Sequence, residues 1–101
     1  MLIRYDSEET PLLSVCVVTY NQEEYIAQAV ESALMQKKKY PFEMLIIDDC
    51  STDGTRGILK KFKEEHDEIG LMLLEENTFR KAKNAYVRVQ ERARGKYINV
   101  L

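Results

Sequence analysis

The chain has 101 residues, 45% of them hydrophobic and 32% charged, with a formal net charge of −2 at pH 7. That is the composition of one soluble globular domain, or part of one, able to bury a single modest core. The charge balance excludes a general nucleic-acid binder, which carries a basic excess, and no apolar run approaches the length that crosses a bilayer.

Residues 1–10 are polar and acidic without a clear period and read as a flexible leader, with Pro11 as the boundary of a domain over 11–101. Residues 12–18 form a near-continuous apolar run rich in β-branched side chains, the pattern of a strand buried on both faces. Asn21 then reads as a helix N-cap with Glu24 in the capping-box position. Ile26, Ala29, Val30, Ala33 and Leu34 follow as one apolar helical stripe. The run Lys37-Lys38-Lys39 reads as a solvated helix end, and Tyr40-Pro41 closes the unit. Residues 42–47 read as a second strand. Asp53 is placed to cap a helix over 55–66, with Ile58, Leu59 and Phe62 facing inward. A third strand is predicted over 69–74. A third helix is predicted over 79–93, with Ala82, Ala85, Tyr86, Val89 and Ala93 on one side and Gly95 as its stop. Residues 96–101 open a fourth strand. This alternation predicts an α/β fold: an open, mainly parallel Rossmann-like sheet of about four strands with three helices. Its fourth strand would present an unpaired edge, a route to self-association. Cys16 falls in the first strand and Cys50 in a turn. Two cysteines make no disulfide framework, and free thiols in a reducing cytoplasm fit them.

The chemistry concentrates in Leu45-Ile46-Ile47-Asp48-Asp49-Cys50-Ser51-Thr52-Asp53-Gly54-Thr55, where an apolar strand ends in two adjacent carboxylates. In open α/β sheets ligands bind at the carboxyl ends of the strands, and an acid at the end of the second strand can accept hydrogen bonds from a nucleoside. Crowding Asp48 against Asp49 is costly unless something uses them. The turn after the first strand, Thr19-Tyr20-Asn21-Gln22-Glu23, has no glycine, and the chain has no P-loop. A phosphorylated ligand would lack the usual backbone cradle. Its charge would fall to a metal ion or to Lys and Arg. Tyr20 stands at the mouth of the sheet, where an aromatic face can stack on a base. Asn21 is explained by capping or by the site, and Glu23 by the helix dipole or by the site. Arg80, Lys81 and Lys83 open the third predicted helix, where cations are unfavourable unless an anion binds nearby. Asp53 reads as a cap only, and His66 carries no predicted role.

Four groups of residues carry a family resemblance. The first is Leu13-Ser14-Val15-Cys16-Val17-Val18-Thr19-Tyr20-Asn21-Gln22-Glu23-Glu24-Tyr25-Ile26 with Ala33-Leu34-Met35-Gln36. The second is Glu43-Met44 with the acid-pair stretch. Glu76-Asn77 with Lys83-Asn84 form the third, and Ala93-Arg94-Gly95-Lys96-Tyr97-Ile98 the fourth. In this order they resemble the nucleotide-binding half of inverting family 2 glycosyltransferases, which have the GT-A fold. The resemblance implies that Thr19, Tyr20 and Glu23 line a nucleotide pocket, with Asn21 and Asp48 beside them. It further implies that Asp49 reads the base, typically uracil, and that Lys83 lies near the diphosphate. Thr78-Phe79 stands where many members have glycine, and the segment up to Asn84 is one residue short of their commonest form. In the family an acidic motif follows the fourth strand and holds Mg²⁺ or Mn²⁺, and a later acid is the general base. By that likeness, catalytic and metal-binding residues are expected outside this chain, an incomplete GT-A domain that binds nucleotide weakly and is inactive alone. The expected partners are a UDP-linked sugar donor and a glycan or lipid-linked acceptor. Polysaccharide biosynthesis in the cytoplasm, at the inner face of the membrane, is the setting implied. The alternative is a non-catalytic nucleotide-binding or interaction module. A phosphoacceptor domain matches less well, because its acid pair follows the first strand. A nucleotidyltransferase would favour a glycine-rich first loop.

Overall fold

In the computed structural model the described residues are 2–3, 13–39, 42–95 and 97–100. They form β1 (Leu2–Ile3), β2 (Leu13–Thr19), α1 (Ile26–Lys39), β3 (Glu43–Asp48), α2 (Thr55–Glu65), β4 (Gly70–Leu73), α3 (Ala85–Arg92) and β5 (Tyr97–Val100). The five strands make one sheet in the order β1-β5-β2-β3-β4. β2, β3, β4 and β5 run parallel, and β1 lies antiparallel on β5. The predicted open, mainly parallel sheet with three helices is therefore the fold. The readings placed on Pro11, Leu12, Tyr40-Pro41, Lys96 and Leu101, and on the rest of the leader, lie outside the described residues.

Both faces of the sheet are covered, because its strands alternate apolar side chains up and down at period two. On one face Val15, Met44 and Ile46 pack with Ile26 and Val30 of α1 and Leu59 of α2. On the other, Cys16, Leu45, Ile47 and Ile98 pack with Ala85 and Val89 of α3 and with Ala93. Pairing of Thr19 with Asp48 brings the carboxyl ends of β2 and β3 level. That register puts the loop after β2 beside the loop after β3.

Three expectations are corrected. The fourth parallel strand is not an open edge: Tyr97 and Ile98 pair with Ile3 and Leu2, which lie within the stretch read as a leader. The third helix begins at Ala85, six residues later than predicted, so Arg80, Lys81 and Lys83 precede it and Ala82 is exposed. The cause is local: the Asn84 side chain caps it by accepting from the Val87 amide, and upstream Asn77 and Thr78 are drawn to Asp49 instead. Gly95 is not a helix stop, since α3 ends at Arg92 with Ala93 as its C-cap. Gly95 sits against β2, where a Cβ would lie 2.5 Å from the Ser14 amide nitrogen.

Candidate functional site

The Ser-Thr-Asp-Gly-Thr tail of the acid-pair stretch stitches the β2 loop to the β3 loop. Ser51 Oγ accepts from the Asn21 amide at 2.8 Å, and Thr55 Oγ1 accepts from the Gln22 amide at 2.9 Å. Asn21 Oδ1 accepts from the Thr52 amide at 2.8 Å. Glu23 donates its amide to Asp53 Oδ2 and accepts from the Gly54 amide through Oε2. Asp53 Oδ1 in turn accepts from the Thr55 amide and hydroxyl. Asp53 is therefore not the N-cap, which is Gly54; it stands one residue ahead, bonds Thr55 at the start of α2, and also ties in the β2 loop through the Glu23 amide. The Thr55 hydroxyl bond leads the interactions that hold its carboxyl below the usual range. Asn21 is not the cap of α1. It adopts φ of 49°, a left-handed conformation that asparagine tolerates, and its side chain turns to Thr52. The helix starts at Ile26, whose amide donates to the Gln22 carbonyl.

The two adjacent carboxylates have separate environments. Asp48 is fully buried. Its Oδ1 accepts from Thr19 Oγ1 at 2.8 Å and from Ser51 Oγ at 2.5 Å, and its Oδ2 accepts from the Ser51 amide at 2.9 Å. Buried acceptors matched to this many donors are strongly held. Asp49 faces the other way. Its amide donates to the Thr19 carbonyl, and its carbonyl accepts from Asn77 Nδ2. Its Oδ1 accepts from both the amide and the hydroxyl of Thr78, each at 2.8 Å. No hydrogen bond among the described residues reaches Oδ2. No buried side-chain oxygen or nitrogen there lacks a partner, so Oδ2 is the oxygen open to solvent. Cys50 follows with φ of 65° and turns the chain away.

Asp49 lines a hollow of about 490 Å³ with Thr19, Tyr20, Gln22, Asn77, Phe79 and Tyr86. Tyr20 and Tyr86 are half-exposed and Phe79 is exposed, so three aromatic rings border an apolar-walled crevice with one carboxylate. Of the predicted site residues, the structure brings together Thr19, Tyr20 and Asp49. Asn21 and Glu23 line a separate, smaller depression beside Asp53, and Asp48 is buried against Thr19 of the crevice wall. Lys83 borders a different hollow of about 540 Å³ between α3 and β4, floored by Ile47, Met72 and Leu74 and flanked by Arg88 and Arg92. There it pairs with Glu91 at 3.2 Å.

The sequence does not single out Asn77, Phe79 or Tyr86 for the crevice, nor Thr78 as the buried partner of Asp49. The helical spacing predicts Tyr86 on the packed side of a longer helix, whereas it is half-exposed at the start of α3. The departure from glycine at Thr78-Phe79 was the one signal pointing to that loop. Among the described residues no group of three or more His, Cys, Asp or Glu side chains could hold a metal ion. No helix there is long and apolar enough to cross a membrane.

Residues 14–101 match the profile of the family described as Glycosyl transferase family 2. The putative teichuronic acid biosynthesis glycosyltransferase TuaG of Bacillus subtilis is 43% identical over 91 residues, covering 90% of this chain and 35% of TuaG. The crystal structure of Staphylococcus aureus TarS 1–349 in complex with UDP is similar with a TM-score of 0.69 at 33% identity, covering 88% of this chain and 26% of that one. The mannosyltransferase PcManGT of Pyrobaculum calidifontis, in complex with GDP-Man and Mn²⁺, is similar with a TM-score of 0.54 at 30% identity over 80% of this chain and 24% of that one. The chain thus spans about a third or less of each of these relatives.

Proposed function

The chain belongs to glycosyl transferase family 2, and from that premise we propose that its crevice is the nucleoside site of a glycosyltransferase whose donor is a UDP-linked sugar. The observation that carries this reading is Asp49 Oδ2, an acceptor with no hydrogen-bond partner among the described residues, in the wall of a hollow bordered by Tyr20, Phe79 and Tyr86. An aromatic face binds the flat of a base, and a fixed carboxylate oxygen accepts from its edge. The TarS relative, similar over 88% of this chain, was crystallised in complex with UDP, which supports a uridine nucleotide. Thr19 and Asp48 act from beneath: the Thr19 hydroxyl donates to Asp48, and the Thr19 carbonyl holds the Asp49 amide. Asn21 and Glu23 keep the Tyr20 loop on the β3 loop. Lys83, released from Glu91, would serve the diphosphate.

In the whole protein the reaction is a single displacement with inversion, in which a hydroxyl of a glycan or lipid-linked acceptor attacks the anomeric carbon while a base removes its proton. The described residues offer no set of ligands for Mg²⁺ or Mn²⁺, so no step is assigned to a metal here. The base, the acceptor site and the cation are assigned to the whole protein, and this chain alone is expected to bind nucleotide without turnover. The setting is polysaccharide synthesis on the cytoplasmic side of a membrane.

Titration with UDP, followed by amide shifts, tests the reading. The largest shifts are expected at Tyr20, Asp49 and Tyr86, with no UDP released when the chain is given UDP-sugars and acceptor. Shifts confined to the Lys83 hollow, or none at all, would overturn the crevice assignment, and measurable transfer would overturn the inactivity.

A further inference from the structure

Resting on the reading of the crevice as a nucleoside site, we infer that Thr78 is a positioning residue that sets base specificity: by holding Asp49 Oδ1 it leaves Oδ2 as a lone acceptor, which selects uracil over guanine and cytosine. Oδ1 takes two donors from one residue, the Thr78 amide and hydroxyl. Asn77 Nδ2 ties the same loop to the Asp49 carbonyl at 3.0 Å, and the Asp49 amide is tied to β2. The carboxylate is therefore clamped on both sides and cannot turn to present both oxygens.

An ionised carboxylate with two free oxygens accepts two parallel donors at once. Guanine offers such a pair in N1–H and the adjacent amino group. Uracil offers a single imide N3–H between two carbonyls. With Oδ1 saturated, one donor is matched, and guanine's second donor would be buried without a partner. Cytosine presents N3 as an acceptor and sets lone pair against lone pair.

The polarity of the exposed atom is fixed by a group that side-chain substitution does not remove. A backbone N–H only donates, so whatever stands at Oδ1 must be an acceptor. In Asp49→Asn the amide oxygen is forced toward Thr78 and the NH₂ takes the place of Oδ2. The crevice then presents a donor, which repels uracil N3–H and matches cytosine N3. A residue that merely held the loop would weaken every nucleotide alike when changed.

Calorimetry of the 101-residue chain with UDP, CDP and GDP, on the wild type, Asp49→Asn, Thr78→Val and Thr78→Ser, decides the matter. The wild type is expected to favour UDP by about tenfold or more, the size of one hydrogen bond to a charged group. Asp49→Asn is expected to reverse the UDP-to-CDP preference. Thr78→Val, which frees one lone pair of Oδ1, should narrow the UDP-to-GDP ratio, and Thr78→Ser should keep it. If UDP is preferred but Asp49→Asn weakens UDP and CDP equally, the inference falls while the crevice reading stands. A wild type that binds none of the three overturns that reading and the inference with it. Should Asp49→Asn lose its native amide spectrum, an unchanged UDP-to-GDP ratio in Thr78→Val is the overturning result.

Discussion

Asp48 and Asp49 are neighbours in sequence with opposite duties, and the difference lies in what each oxygen meets. Asp48 is surrounded by donors from Thr19 and Ser51. Asp48→Ala would strand a buried amide and two hydroxyls, and unpaired buried donors cost about 1–3 kcal/mol each. We expect a loss of about 2–4 kcal/mol in urea unfolding, part of it recovered as the hydroxyls find water. Asp48→Asn should cost less. Its oxygen can face the Ser51 amide, which only donates, while its NH₂ faces hydroxyls that also accept. Cys16 shows the same dependence on surroundings. Burial, with the Glu43 charge nearby, pushes its thiol up to about 11, so it stays protonated and packs as an apolar group.

Elements are bounded here by side chains from elsewhere in the chain as much as by their own propensities. The turn over 79–84 has helical composition, yet Asn77 and Thr78 are held at Asp49 and Asn84 caps a shorter α3. Two glycines separate local from tertiary control. Gly57 lies within α2 with nothing within 4 Å of an added Cβ. Gly57→Ala should therefore stabilise by about 0.5–1 kcal/mol, the usual helical cost of glycine against alanine. Gly95→Ala would press a methyl against the backbone of Leu13 and Ser14, and overpacking of this kind costs about 1–3 kcal/mol. Urea midpoints of the two variants should move in opposite directions.

Across the whole molecule, the end of the sheet opposite the crevice is held by Glu43. Its Oε2 accepts from Ser14 Oγ at 2.6 Å and from the Arg94 amide, and its Oε1 accepts from Arg94 Nε at 2.8 Å. Ser14 Oγ also accepts from the Gly95 amide, so β2, β3 and the lead into β5 meet at one carboxylate. Burial pushes that carboxyl up, but the Ser14 hydroxyl and the Arg94 amide and guanidinium together hold it below the ordinary value of 4.5. A lowered native pKa makes the folded state bind the proton less readily than the unfolded chain. Its contribution is therefore complete above 4.5 and is lost as pH falls through the lowered value. Asp53 and Glu76 are shifted the same way, Glu76 by its bond and ion pair with Lys81. Glu76 is solvent-exposed and Asp53 half-buried, so both are more screened than the Glu43 side chain, which is 9% exposed and should dominate the acid slope. Unfolding free energy measured from neutral to acid pH should fall below about 4.5, and Glu43→Gln should lower the neutral plateau and flatten that fall.

The alternation of strands and helices, the acid pair at a strand end and the family were legible in the chain itself, because apolar periodicity and short-range turn chemistry are properties of neighbouring residues. The position of Tyr20 and Asp49 at the carboxyl edge of the sheet was legible for the same reason: each follows a strand. The hydrogen-bond partners of the acid pair, the shortened third helix, the pairing of residues 2–3 with β5, the grip of Thr78 on Asp49 and the entry of Asn77, Phe79 and Tyr86 into the crevice were decided in three dimensions. Thr78 lies 29 positions from the carboxylate it grips. Donors and acceptors so far apart meet only after the sheet has aligned its strand ends, and no local pattern records which of two adjacent carboxylates they will choose.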